Sequence, residues 1–323
     1  MKHRMHYRTV DDMSQVILRN ISKIPADVDL VVGIPRSGLL AATMIALYLN
    51  RPLADLHGLS EGRLLANGKR TIRGSGKAAV SDARRILVVD DCVSQGTELK
   101  RAKDLIGQLG LSGRSTFLTV FSFPEHPDLA DITLSVIPRP MCFQWSFMHT
   151  PELEMYCLDI DGVVCRDATG EEDDDGVNYR KFLRDATPLF VPTARVGSLV
   201  TARLEKYRSQ TEEWLDRNGV MYNNLVMLDL SDKAARRGNG IVADFKAQVY
   251  RESGSLLFIE SSPGLAAEIA ERAHLPVMCM TTNRIIGNPE IDTLLIPVQK
   301  ARYFLRRIKR VPGKIVKLLG RKT

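Results

Sequence analysis

The chain is poor in cysteine and has no long apolar run. Five cysteines, Cys92, Cys142, Cys157, Cys165 and Cys279, occur in 323 residues, and none are spaced C-x-x-C. A disulfide framework or zinc site is not expected, and a reducing cytoplasm fits. No window approaches the roughly 18 uninterrupted apolar residues of a membrane-spanning helix. The opening MKHRMHYRTVDDM lacks the apolar core of a secretory leader. Internal repeats and extended low-complexity runs are also missing. What is there is an ordinary globular mixture, 44% hydrophobic and 26% charged, which excludes a disordered or fibrous chain. The length leads one to expect two domains.

The net charge of +7 is local. Residues 299–323 hold ten Lys or Arg and no acid; the other 35 basic residues (45 less those ten) face 38 acidic ones. The body is mildly acidic, so a basic surface for nucleic acid is not expected.

Thr9 with Asp12 reads as a capping box opening a helix over 9–24, with Met13, Val16, Ile17, Ile21 and Ile24 on its apolar face. DLVVGI (29–34), RILVVDD (85–91), TFLTVF (116–121) and TLSVI (133–137) read as strands, with helices at 39–49 and 98–109. Residues 58–82, glycine-rich and basic, read as a long functional loop. Prolines 124 to 151 close this unit. A second strand–helix series follows: strands 154–160, 197–202, 224–228, 255–260 and 277–280, and helices 203–218 and 263–273. EEDDD (171–175) reads as a solvated loop. The expectation is α/β: two domains, 1–150 and 151–298, each a mainly parallel sheet flanked by helices, and a tail, 299–323.

ILVVDDCVSQGTEL (86–99) brings Asp90 and Asp91 to a strand's C-terminal end, before a short loop into a helix. Ligands of open α/β sheets bind there, and loop N–H groups entering a helix cradle anions. Gly96 lets the backbone approach a phosphate. The plainer alternative is a strand ending in a helix cap. The segment resembles the binding motif for phosphoribosyl diphosphate (PRPP) of type I phosphoribosyltransferases. The resemblance implies that Asp90 and Asp91 hold the ribose 2- and 3-hydroxyls and that Ser94, Gln95, Gly96 and Thr97 bind the 5-phosphate. Gln95 and Glu98 depart from the family's hydroxyl residues, which weakens the phosphate grip. VVGIPRSG (31–38) looks like the diphosphate loop, with Arg36, Ser37 and Gly38 at the pocket, although PRSG alone is a common turn. Residues 58–82 match the lid, and Lys69, Arg70, Arg73 or Lys77 would neutralise departing diphosphate. Residues 1–28 and 124–150 are expected to form the hood, with Trp145 assigned to the core rather than to a ligand.

CLDIDGVVC (157–165) places Asp159 and Asp161 on one face at a strand end, and Gly162 lets the chain turn. One carboxylate can attack phosphorus while the other handles a proton; two solvated acids are the plainer alternative. The segment resembles motif I of the haloacid dehalogenase (HAD) superfamily. Thr201, Lys246 and Glu260 resemble motifs II, III and IV. The resemblance implies a phosphatase with Asp159, Asp161, Thr201 and Lys246 catalytic, and Mg²⁺ held by Asp159, Asp161 and Glu260. Lys233 is a rival to Lys246. Ser261 and Ser262 stand where many members have another acid. About 35 residues between motifs I and II imply a small or absent cap.

In the tail, Phe304, Ile308, Val311, Ile315, Leu318 and Leu319 interleave with Lys and Arg at helical spacing. This reads as an amphipathic helix lying on anionic lipid, at the inner face of the cytoplasmic membrane. A docked helix and a nucleic-acid arm are the alternatives. The fusion resembles phosphoribosyltransferase–phosphatase proteins of bacterial surface-polysaccharide synthesis. It implies transfer of 5-phosphoribosyl from PRPP to a sugar hydroxyl of a glycan acceptor, expected to be lipid-linked, then loss of the 5-phosphate. The alternatives are a nucleobase phosphoribosyltransferase fused to a nucleotide phosphatase, and a PRPP-sensing regulator.

Overall fold

The computed structural model describes residues 5–65, 80–236 and 240–287. The lid residues Lys69, Arg70, Arg73 and Lys77 and the tail 299–323 lie outside them. In chain order the elements are β1 (His6–Arg8), α1 (Val10–Arg19), β2 (Leu30–Gly33), α2 (Ser37–Leu49), β3 (Leu53–Asp55), α3 (Leu56–Ser60), β4 (Ile86–Val93), α4 (Thr97–Gln108), β5 (Ser115–Ser122), β6 (Ile132–Val136) and β7 (Met141–Phe143). Then come β8 (Tyr156–Leu158), α5 (Val177–Asp185), β9 (Val196–Leu204), α6 (Arg208–Arg217), β10 (Tyr222–Leu228), α7 (Lys233–Arg236), α8 (Ile241–Ser253), β11 (Leu257–Glu260), α9 (Pro263–Ala273), β12 (Val277–Cys279) and β13 (Arg284–Ile286).

The fold is α/β, with parallel sheets flanked by helices. Ile86, Leu87, Val88 and Val89 of β4 are fully buried, the continuous apolar run of a strand covered on both faces. Each such side chain contributes about 1.5–3 kcal/mol by leaving water. The first sheet runs β3-β2-β4-β5-β6, all parallel. From β2 the chain moves outward to β3, and from β4 it moves the other way. The switch point therefore lies between β2 and β4, and their two exit loops face one crevice. The second sheet runs β10-β9-β8-β11-β12-β13, parallel except for β13. Its switch point lies between β8 and β11.

A parallel ribbon, β1 with β7, stands apart from both sheets. Its two faces belong to different cores. Met141 and Phe143 pack with Val89, Leu118 and Phe121 of the first sheet. Met5 and Cys142, with Phe147 and Met148, pack with Tyr156, Leu158 and Ile259 of the second. The side chain of Tyr7 donates to Asn283, beyond β12. The described residues, up to Gly287, form one compact unit.

Several expectations shift. The Thr9–Asp12 capping box forms, but α1 stops at Arg19 and a 3₁₀ turn covers Ile21–Lys23. The expected helix over 203–218 begins at Arg208, because β9 continues through Leu204. The loop over 58–82 is helical at its start, where the Asp55 carboxylate caps α3 by accepting from Gly58 N–H at 2.5 Å. EEDDD is a loop, as expected, but its carboxylates are engaged. The Asp174 carboxylate caps α5, accepting from the N–H groups of Gly176, Asn178 and Tyr179 at 2.8, 3.2 and 2.9 Å. Asp175 accepts from Lys206 Nζ at 3.0 Å and from Tyr207 Oη at 2.8 Å. Asp174 is thus spent on start-of-helix donors that the sequence pattern left without a partner, and Asp175 on two side chains. Between β8 and β9, α5 is the only α-helix, and it packs on α6.

Candidate functional sites

At the first switch point β4 delivers Asp90 and Asp91, both nearly buried. Gly38, in the first turn of α2, lies against them: a Cβ there would come within 2.8 Å of Asp90 Oδ1 and 2.9 Å of the Val89 carbonyl. Only a bare backbone fits so close. Ser37 Oγ donates to Asp91 Oδ1 at 2.7 Å. The structure thus brings Ser37, Gly38, Asp90 and Asp91 together. Arg36 is exposed at the N-cap of α2. Ser94 and Gln95 form the loop, Gly96 turns it with φ +78°, and Thr97 opens α4. Glu98 faces Arg101 at 2.5 Å.

Burial pushes the Asp90 carboxyl up to about 8, and the adjacent Asp91 charge adds to it. Asp91 is also raised by burial, against the pull of hydrogen bonds from Ser37 and Trp145. Two residues near this site were not read from the sequence as part of it. Trp145, assigned to the core, is only partly buried, and its Nε1 donates to Asp91 Oδ2 at 2.7 Å. Arg139 donates to Ser94 Oγ at 3.0 Å and rests 3.8 Å over the Phe123 ring. It puts a cation beside the loop in which Gln95 and Glu98 depart from the family pattern. No spacing rule links residue 145 to Asp91 or residue 139 to Ser94; packing on the rings of Phe121, Phe143 and Phe123 brings them there.

At the second switch point a cleft of about 560 Å³ opens over Asp159, Asp161, Lys246 and Glu260. Lys246 reaches from α8 and donates to Asp159 Oδ2 at 2.6 Å and Glu260 Oε2 at 2.7 Å. Asp159 Oδ1 accepts from Ile160 N–H at 2.8 Å, and Glu260 Oε1 accepts from Ser261 and Ser262 N–H at 3.0 Å each. The rival Lys233 pairs with Asp173 at 2.8 Å instead. Burial would lower the Lys246 ammonium, but the Asp159 and Glu260 charges outweigh it and raise it. Two acids against one ammonium leave an excess negative charge, and burial pushes Asp159 well up despite Lys246. Gly162 turns the chain with φ +76°, and Ser261 Oγ would lie 2.2 Å from a Cβ there.

Asp161 and Thr201 sit differently from expectation. Arg203, fully buried, donates Nη2 to Asp161 Oδ1 at 2.7 Å and Nε to Oδ2 at 3.1 Å. This forked grip holds Asp161 against β9. Burial would lower the guanidinium, but Asp161 outweighs it, so Arg203 is raised. Thr201 is also fully buried, and its hydroxyl accepts from the Arg203 N–H at 3.2 Å. Its neighbour Ala202, not Thr201, lines the cleft. Arg203 was missed because a charged residue two places beyond a strand-end Thr reads as surface. Asp167, at the cleft mouth, was missed too; partial desolvation of its carboxyl, then Asp161 and Glu260, raise it.

The expected Mg²⁺ set of Asp159, Asp161 and Glu260 lies at this cleft with its oxygens engaged by side chains. Hard carboxylate oxygens suit Mg²⁺, but both oxygens of Asp161 are on Arg203, and Lys246 stands between the other two carboxylates. Among the described residues no three His, Cys, Asp or Glu side chains are grouped to hold a metal ion. Also among them, no helix is long and apolar enough to cross a membrane.

No family model matches the chain. It is similar to two curated proteins named transcriptional regulator GfcR 2. The one from Methanosarcina barkeri is 31% identical over 109 residues, covering 33% of this chain and 52% of that protein. The one from Methanosarcina acetivorans is 31% identical over 86 residues, covering 26% and 41%. The chain spans about half the length, or less, of these relatives. Among solved structures it is similar to a purine phosphoribosyltransferase from Pyrococcus horikoshii, 18% identical, with TM-score 0.31 over 45% of this chain and 95% of that one. A xanthine-guanine-hypoxanthine phosphoribosyltransferase from Helicobacter pylori is 17% identical, with TM-score 0.33 over 44% and 92%.

Proposed function

We propose that the chain is a two-site enzyme. The first site takes PRPP and transfers 5-phosphoribosyl to a sugar hydroxyl, expelling diphosphate; the second removes the 5-phosphate. The observation that carries the reading is that each sheet's switch point holds the acids its chemistry needs, within one compact unit. Asp90 and Asp91 beside a short loop that enters a helix suit a ribosyl phosphate. Asp159, steadied by Lys246, suits attack on phosphorus. Any Mg²⁺ there would have to displace Lys246 from Asp159 and Glu260 before it could offset phosphate charge. Arg203 keeps Asp161 aligned, and Asp167 is the cleft carboxyl left free to exchange a proton. The product of the first reaction carries the group the second removes, which makes sense for building ribofuranose into a glycan. By its composition, residues 299–323 would bring the chain to anionic lipid at the inner membrane face.

A second reading is a PRPP-responsive regulator, favoured by the name carried by the two curated relatives. The test follows diphosphate and inorganic phosphate separately, with PRPP, Mg²⁺ and a membrane-lipid extract. In Asp159→Asn, diphosphate release should persist while a phosphorylated pentosyl lipid accumulates. Diphosphate released only with a free nucleobase would favour a nucleobase transferase; PRPP bound but unaltered would favour the regulator.

A further inference from the structure

The Asp90 and Asp91 side chains interact with each other, but their partners outside the pair differ. Both oxygens of Asp91 are engaged from outside β4: Oδ1 by Ser37 Oγ and Oδ2 by Trp145 Nε1, each at 2.7 Å. Ser37 belongs to the first turn of α2 and Trp145 follows β7. One carboxylate therefore fastens three walls of the pocket. The indole is held in turn, stacked on Phe143 at 4.6 Å and 16° and on Phe121 at 6.3 Å and 21°. Asp90 accepts the Asp91 backbone N–H at 3.0 Å through Oδ1. Among the described residues, no side-chain N–H donor reaches its second oxygen.

We propose that Trp145 is a positioning residue of the first site: its indole N–H locks Asp91 as a structural clasp, and Asp90 is the carboxylate that meets the ribose hydroxyls. The assignment rests on the PRPP reading of this pocket. It divides the labour of two acids that sequence pattern treats alike. A charge-assisted hydrogen bond in a nearly buried place is stronger than a neutral one, and losing it leaves the acceptor short of a partner. The clasp also ties pocket geometry to β7, which the second core holds from its other side.

Trp145→Phe keeps a ring for the stack and deletes the N–H. In the full-length chain its Kd for PRPP, read by calorimetry, should rise about tenfold or more, while hydrolysis of p-nitrophenyl phosphate stays at the wild-type rate. PRPP affinity within twofold of wild type would overturn the proposal. A second measurement needs no ligand. With ¹⁵N-labelled tryptophan, Asp91→Asn should shift the Trp145 indole resonance and leave that of Trp214, which donates to the Ala186 carbonyl at 2.9 Å. If wild type fails to bind PRPP, the pocket reading falls while this resonance still decides the clasp. A Trp145 resonance that ignores Asp91→Asn overturns the clasp.

Discussion

Asp90 carries a proton-linked consequence. Its carboxyl is pushed up to about 8 in the folded chain by burial and by Asp91, whereas an unfolded aspartate titrates near ~3.9. Between those values the unfolded chain gives up a proton that the folded chain keeps. The stability contributed by neutral Asp90 is therefore complete below about pH 4 and is lost as pH rises through about 8. Asp90→Asn cannot ionise. Its urea midpoint should gain on wild type between about pH 5 and about pH 9, by the equivalent of more than about 1.4 kcal/mol. Parallel curves for the two proteins would show that Asp90 titrates normally. Ligand affinity runs the other way: an ionised Asp90 accepts hydroxyls better, so PRPP binding should strengthen through the same window.

At the scale of elements, the turn after β8 is a tight fit. Gly162 has φ +76°, and a Cβ there would press on Ser261 Oγ at 2.2 Å and Asp167 Oδ2 at 2.8 Å. Gly162→Ala should cost about 1–3 kcal/mol and push the β8 and β11 loops apart, removing hydrolysis of p-nitrophenyl phosphate while PRPP binding persists. Equal loss at both sites would mean general unfolding instead. The turn was legible in the sequence, because glycine after paired acids at a strand end has few other uses. So were the buried runs of β2, β4 and β11, where apolar residues come without interruption. The ribbon was not: β1 and β7 are three residues each and pair across more than 130 positions, too short for periodicity to register. Arg203 was hidden for another reason. Its β9 position is buried, and only the carboxylate of Asp161, 42 residues away, makes a guanidinium tolerable there.

For the whole molecule, the placement of Met5, Cys142, Phe147 and Met148 in the second core predicts one cooperative unfolding transition for residues 1–287. Calorimetric and van't Hoff enthalpies should agree. A fragment ending at residue 150 would expose those four side chains and should be aggregation-prone. Two separated transitions, or a soluble fragment that binds PRPP as the full chain does, would mean that the ribbon belongs wholly to the first sheet.

The shared ribbon also bears on how such a chain changes over generations. A tethered pair of enzymes can trade partners by recombination, since the joint carries no information. Here the joint is wall to both rooms. A crossover near residue 150 would import a stranger's Tyr156, Leu158 and Ile259 against a resident Cys142, and the mismatch would be felt at Asp91. Recombinants would need compensating changes on both sides of the breakpoint, so the two halves should be inherited as one.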